Sequence, residues 1–298
     1  MTMAIAFRRD DVRPALAALV FGALVIGVAP ILVRLAACGP AAAGFWRLAF
    51  ATPLLAAAAG RRGAGGVGSP SGAMILAGLA FALDLGCWHY GIRYTSVADA
   101  TVLPNLTPVV VTIAGWLMLR ERPRPAFLVG MSAAIGGAVL MAAAAPAEGG
   151  PAHAPVPHLG DMLAASTALW YALYFLAVRG ARQTHSTPRV MFWSCLIGAG
   201  PLFAAALALH EPLWPATALG WAAVAGLGLT HVFGQGAIAW ALGRLPASTA
   251  AVTVLVQPVV AAALAFAIFG EQLAPLQVAG GAVALAGVVI AQRAPATT

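Results

Sequence analysis

Apolar residues come in long runs along this chain, broken by short clusters of Arg, Pro and Gly. Ten such runs lie at about 14–34, 41–59, 72–92, 97–119, 125–145, 159–178, 189–209, 216–241, 247–269 and 275–292. A helix needs roughly 20 apolar residues to cross the hydrocarbon core of a bilayer. Backbone polar groups find no water there, so helix is the conformation these runs predict. The longest break, 146–158, is rich in Pro, Gly and Ala and reads as an external loop between a first unit, 14–145, and a second, 159–292. The first run follows Arg8, Arg9 and Arg13 as a secretory leader would, but its length and the nine runs behind it predict a retained helix.

Composition narrows the picture further. Of 298 residues, 61% are hydrophobic and 8% charged, against about 25% charged in an ordinary soluble domain. A soluble enzyme, a nucleic-acid binder and a disordered tail are excluded on that ground. All 16 basic residues are arginine, and the net charge of +7 is spread over many loops, with no stretch long enough to follow a nucleic-acid backbone. Cys38, Cys87 and Cys195 are widely spaced in apolar surroundings and read as free thiols. With no CxxC and no HExxH, neither a metal nor a cofactor is expected; the expected partners are a small-molecule substrate and the bilayer.

The arginines orient the chain. Arg8, Arg9, Arg13, Arg61, Arg62, Arg120, Arg122, Arg124, Arg179, Arg182, Arg189, Arg244 and Arg293 fall in loops on one side. The other side offers Arg34 and Arg93, and its loops around Glu148, Glu211 and Glu271 hold no basic residue. The positive-inside rule then places both termini in the cytoplasm.

Sliding the sequence by 150 positions reveals a repeat. Gly86 meets Gly236, Pro108-Val109-Val110 meets Pro258-Val259-Val260, Glu121 meets Glu271, Pro125 meets Pro275, and Gly130 and Gly137 meet Gly280 and Gly287. A unit of five helices is odd, so the second copy must cross the membrane in the opposite sense. The turns agree: Arg120-Glu121-Arg122-Pro123-Arg124-Pro125 becomes Gly270-Glu271-Gln272-Leu273-Ala274-Pro275, keeping Glu and Pro and losing every Arg. The fold expected is an all-α polytopic membrane protein with ten transmembrane helices in two inverted five-helix repeats. Inverted repeats are a transporter architecture, with the substrate held near the midplane where the halves meet.

These features resemble a known family. Two five-helix halves, the Trp46-Arg47 pair early in the second helix, and a Glu turn closing the fourth helix of each half are similar to the drug/metabolite transporter superfamily, and within it to the EamA permeases. The resemblance spans about 14–292. It implies a bacterial inner-membrane exporter of small metabolites, with YddG-type amino acid exporters among its relatives, and leaves the cargo open.

Several residues could carry that function. An ionisable side chain in a membrane helix is costly without a partner or a wet cavity. Asp84 is the acidic residue nearest the middle of any run, and Arg47 lies at a compatible depth on the second helix. Asp84 could take a proton or a substrate amine, or the two could form a structural pair. Trp88 stands one turn above Asp84 on the same face, whereas His89 is rotated about 140° from it. Trp88 is therefore the expected cavity residue, with His89 either a second lining group or an interfacial one. Asn105 sits between Pro104 and Pro108, and Gln257-Pro258 makes the repeat-related break; paired breaks point to a transporter site or to plain packing kinks. Ser166, Trp170 and Tyr174 form one helical stripe, and His231 and Gln235 another. His231 could titrate near neutrality and couple flux to protons. Asp99 and Asp161 read as helix caps, and Glu121 and Glu271 as residues fixing their hairpins. Gly130, Gly136, Gly137, Gly280, Gly281 and Gly287 predict close packing of helices five and ten, as an internal brace or the edge of a homodimer. An intramembrane enzyme is the alternative class, but no pair here has a recognised catalytic spacing, and it leaves the repeat unexplained.

Overall fold

Each predicted apolar run that the structure describes is a helix. The computed structural model describes residues 9–61, 63, 65–94, 103–119, 122–144, 157–270 and 272–294. Among them the membrane helices are α1 (Val12–Leu35), α2 (Pro40–Ala59), α3 (Gly72–Gly91), α4 (Pro104–Met118), α5 (Pro125–Ala143), α6 (His158–Arg182), α7 (Thr187–Ala208), α8 (Ala218–Leu242), α9 (Ala247–Phe269) and α10 (Pro275–Arg293). All but α4 are at least 18 residues long and apolar enough to cross a bilayer. Leu117, Met118, Val129 and Met162 are more than 60% exposed on the outer surface, as lipid-facing side chains are. Glu121, Glu271, Asp99 and the loop 146–156 lie outside the described residues.

Packing follows the repeat. Moving five helices along the chain turns α3 on α6 into α8 on α1, α3 on α7 into α8 on α2, and α4 on α6 into α9 on α1. The pairs α2–α7, α4–α9 and α5–α10 map onto themselves. The glycines at the crossings are repeat-related too. A Cβ on Gly78 would stand 2.8 Å from Ser194 O on α7, and one on its counterpart Gly228 would stand 2.6 Å from Phe50 Cβ on α2.

The α5–α10 pair is the tightest of these. A Cβ on Gly130 would lie 2.8 Å from Gly287 O, and one on Gly287 2.6 Å from Gly130 O, so the backbones touch. Gly137 and Gly280 repeat the contact two turns away. Gly136 differs from the expectation: it faces open space.

Three helices are broken. In α1 the helix stops at Ile26 and resumes at Ala29, where Gly27 abuts Val260 of α9. In α4 a tight turn, Pro104–Leu106, precedes the regular helix, and α9 breaks between Thr253 and Val256. The expected pair of breaks is therefore present, with Pro108 buried just past the first and Pro258 half-buried just past the second. A further irregularity, one π-turn at His231–Gln235, interrupts α8. The helix of α6 begins at Pro157, so Asp161 sits a full turn inside it.

Candidate functional site

Where the halves meet, α2, α3, α6, α8 and α9 bring their polar residues to one place. Arg47 (5% exposed), Asp84 (8%), His231 (1%) and Gln235 (1%) are all buried there. Phe81, one turn before Asp84, forms the wall. Its ring centre is 4.8 Å from that of Tyr174, 5.1 Å from that of His231, and 5.5 Å from the Arg47 guanidinium carbon. Tyr171 stacks on Tyr174 with centroids 6.0 Å apart and planes 3° from parallel. The Tyr171 hydroxyl approaches the side-chain amides of Gln235 on α8 and Gln257 on α9. His231 and Gln235, four residues apart, share a face of α8, and the π-turn spans them. Such a π-turn is a distortion that recurs at functional sites.

Arg47 and Asp84 feel each other's charge, yet no direct salt bridge joins them among the described residues. The structural ion pair, one of the two readings open from sequence, is not formed. Nor are the neighbouring polar groups satisfied. Arg47 Nε, both ring nitrogens of His231, Gln235 Nε2 and Gln257 Nε2 are buried without a hydrogen-bond partner. Each such group costs about 1–3 kcal/mol. Several of them converging on one spot, beside an unbridged guanidinium and carboxyl group and an aromatic wall, make a site able to hold a polar ligand.

The other sequence-derived residues fall around this centre. His89 is buried and donates from Nδ1 to Pro40 O at 2.9 Å, tying α3 to the start of α2, while its Nε2 is unpartnered. Trp88 is half-buried and packs its ring on His89, 5.1 Å between centres. Asn105 lies in the α4 turn with Nδ2 unpartnered. Ser166 spends its hydroxyl on Leu163 O of its own helix, at 2.7 Å. Trp170 is half-buried, and none of the ring contacts of the central cluster involves it; its neighbour Tyr171 takes that place. Tyr171 escaped the sequence reading because the spacing of Ser166, Trp170 and Tyr174 defines a stripe without saying which way the helix is turned.

The two ends of the bundle differ. At the Glu211 end, Trp46 packs against Phe45, Phe50, Trp214 and Trp221, with centroid distances of 5.0–5.6 Å. Glu211 itself binds Tyr90 and the Ala42 N–H. At the arginine-rich end a recess of about 620 Å³ opens between α2, α6, α7 and α8, lined by residues that include Arg61, Arg182, Thr187, Val232 and Trp240. Val232 and Gly236 bring this recess to the π-turn of α8, alongside His231 and Gln235.

A family model described as the EamA-like transporter family matches residues 13–143 and 158–292. Among similar proteins, a pseudopaline exporter of Pseudomonas aeruginosa is 25% identical over 209 residues, covering 70% of each chain. A probable terminal-alkyne amino-acid exporter of Streptantibioticus cattleyicolor is 28% identical over 214 residues, covering 69% of this chain and 67% of that one. An uncharacterized transporter of Archaeoglobus fulgidus is 27% identical over 214 residues, with coverages of 71% and 73%. One crystal structure has the same fold, with a TM-score of 0.77 at 20% identity over 95% of this chain and 98% of that one.

Proposed function

Because the chain belongs to the EamA-like transporter family, a family of multi-pass membrane transporters and not enzymes, we propose that it exports amino acids or related amphiphilic metabolites from the bacterial cytoplasm. The mechanism is alternating access between its two inverted halves in the inner membrane. The observation that carries this reading is the central site. Arg47 meets the carboxylate of the solute, Asp84 its ammonium, and Phe81, Tyr171 and Tyr174 its side chain. A zwitterion supplies both missing charge partners at once, and the unpaired amides of Gln235 and Gln257 complete its hydrogen bonding. A solute of single charge would leave Arg47 or Asp84 uncompensated in a dry setting, where that is expensive.

The arginine-rich end is the cytoplasmic one on this reading, both termini lie there, and the recess is the entry from the cell interior. Two relatives named as exporters support the outward direction. Energy comes from the solute gradient, exchange or a proton gradient.

Solute-dependent thermal stability tests the site. A ligand at 100 times its dissociation constant stabilises the folded state by about 2.7 kcal/mol. A panel of amino acids is expected to contain members that raise the melting temperature of the purified protein, and the corresponding amines and carboxylic acids are not. Stabilisation by a neutral nucleoside or a hydrophobic cation, and by no amino acid, would replace the zwitterion with that solute class.

A further inference from the structure

The repeat has a feature at its two ends that the 150-residue register conceals. In α2 and α7 the matching residues are Phe45-Trp46 and Phe192-Trp193. The two tryptophans make the same bond in opposite halves. Trp46 Nε1 donates to Leu213 O in the α7–α8 loop, and Trp193 Nε1 to Val67 O in the α2–α3 loop, both at 2.8 Å. Two residues before Leu213 stands Glu211; two residues before Val67 stands Gly65.

Glu211 fills a notch between α2 and α3. Its Oε2 accepts from the Ala42 N–H at 3.1 Å and its Oε1 from the Tyr90 hydroxyl. Ala42 is the third residue of α2, so its N–H is one of those the helix itself leaves unpaired. The carboxylate also sits at the positive end of the helix dipole. Below it Ala41, Ala42 and Ala206 close into a dry cluster with Tyr90 and Leu213 packed on it. Gly39 is pressed so close to Glu211 that a Cβ there would overlap its side chain.

At the other end, among the described residues, the corresponding position carries no side chain. A Cβ on Gly65 would meet nothing within 4 Å. The recess runs past Ser186, Thr187, Pro188 and Trp240, the repeat counterparts of Gly39, Pro40, Ala41 and Tyr90. One end is thus tied by a carboxylate, and the position that corresponds to it at the other end is a glycine.

We propose that Glu211 is the gate of its end of the transport path, a latch from the loop 209–217 that must release Tyr90 and the Ala42 N–H before solute can pass there. The inference rests on the alternating-access reading above. At the arginine-rich end the described part of the loop is held differently, by Arg189 Nη2 donating to Ser69 O at 2.8 Å, with no carboxylate among the described residues there.

Cys38 is a native reporter of the latch. It flanks the same alanine cluster, and burial and the Glu211 charge push its thiol up to about 11. The purified protein is treated with a hydrophilic maleimide and labelling is read at each cysteine by mass spectrometry, beside solute flux in proteoliposomes. Glu211→Gln and Tyr90→Phe are expected to label Cys38 about tenfold faster than wild type, as loss of one charge-assisted hydrogen bond allows, with Cys87 and Cys195 unchanged. Tyr90→Phe keeps the carboxylate, so faster labelling there cannot come from a more acidic thiol, and its ring guards against a Glu211 variant that fails to fold. Labelling of Cys38 at the wild-type rate in Tyr90→Phe, with flux intact, overturns the latch and leaves the transporter standing. Faster labelling in a protein that moves no solute upholds the latch and removes the transport reading beneath it.

Discussion

Neutralising Asp84 separates the two roles open to a buried carboxylate. Were it half of a structural ion pair, Asp84→Asn would strand Arg47 and cost about 3–5 kcal/mol of stability. Since no direct bridge joins them, Asp84→Asn is expected to melt within a few degrees of wild type and to lose at least about tenfold of its zwitterion flux, because the ammonium then lacks its charged partner. Trp170→Ala serves as the contrast, leaving flux within about twofold; a melting scan and a flux assay on the two variants check both outcomes. Asp84, His231 and Gln235 stood out in the sequence because a polar side chain is conspicuous in an apolar run, and so did Arg47, though as a structural or gating residue. Tyr171 and the anchoring bond of His89 did not. Both depend on how a helix is rotated in the bundle, which the neighbouring helices decide and the spacing along one helix does not.

At the scale of the helix, prolines announced the breaks in α4 and α9, since each removes a donor and frees a carbonyl. Nothing comparable announces the π-turn of α8. The run His-Val-Phe-Gly-Gln has no proline, and what accompanies the distortion is tertiary: Gly22 of α1 reaches Gly234, where a Cβ would lie 2.6 Å from its carbonyl. The glycines of α5 and α10 read correctly as a packing seam but not residue by residue. Gly137→Leu is expected to lower stability by about 1–3 kcal/mol, as overpacking does, because it drives a side chain into the backbone of α10. Gly136→Leu, facing open space, is expected to melt as wild type. Equal melting temperatures for the two variants would mean that the α5–α10 contact is looser than described.

For the molecule as a whole, the repeat was visible where Pro, Glu and Gly matched at one offset, and the inverted packing of the ten helices follows it. The relation between α2 and α7 was hidden, because the stretch from Trp193 to Gly228 is three residues longer than that from Trp46 to Gly78, which breaks the register. The difference between Glu211 at one end and Gly65 at the other was hidden with it. Two related halves, an unbridged Arg47 and Asp84 between them, and the Glu211 contacts at one end are the parts that the proposed alternating access would use. The most direct measurement is efflux from proteoliposomes loaded with a mixed panel of labelled amino acids, with and without an imposed pH gradient, for wild type and Asp84→Asn. The expected result is selective loss of particular amino acids through the wild-type protein and about tenfold less through the variant. Retention of every amino acid by the wild type, at the level of protein-free liposomes, would contradict an amino acid exporter.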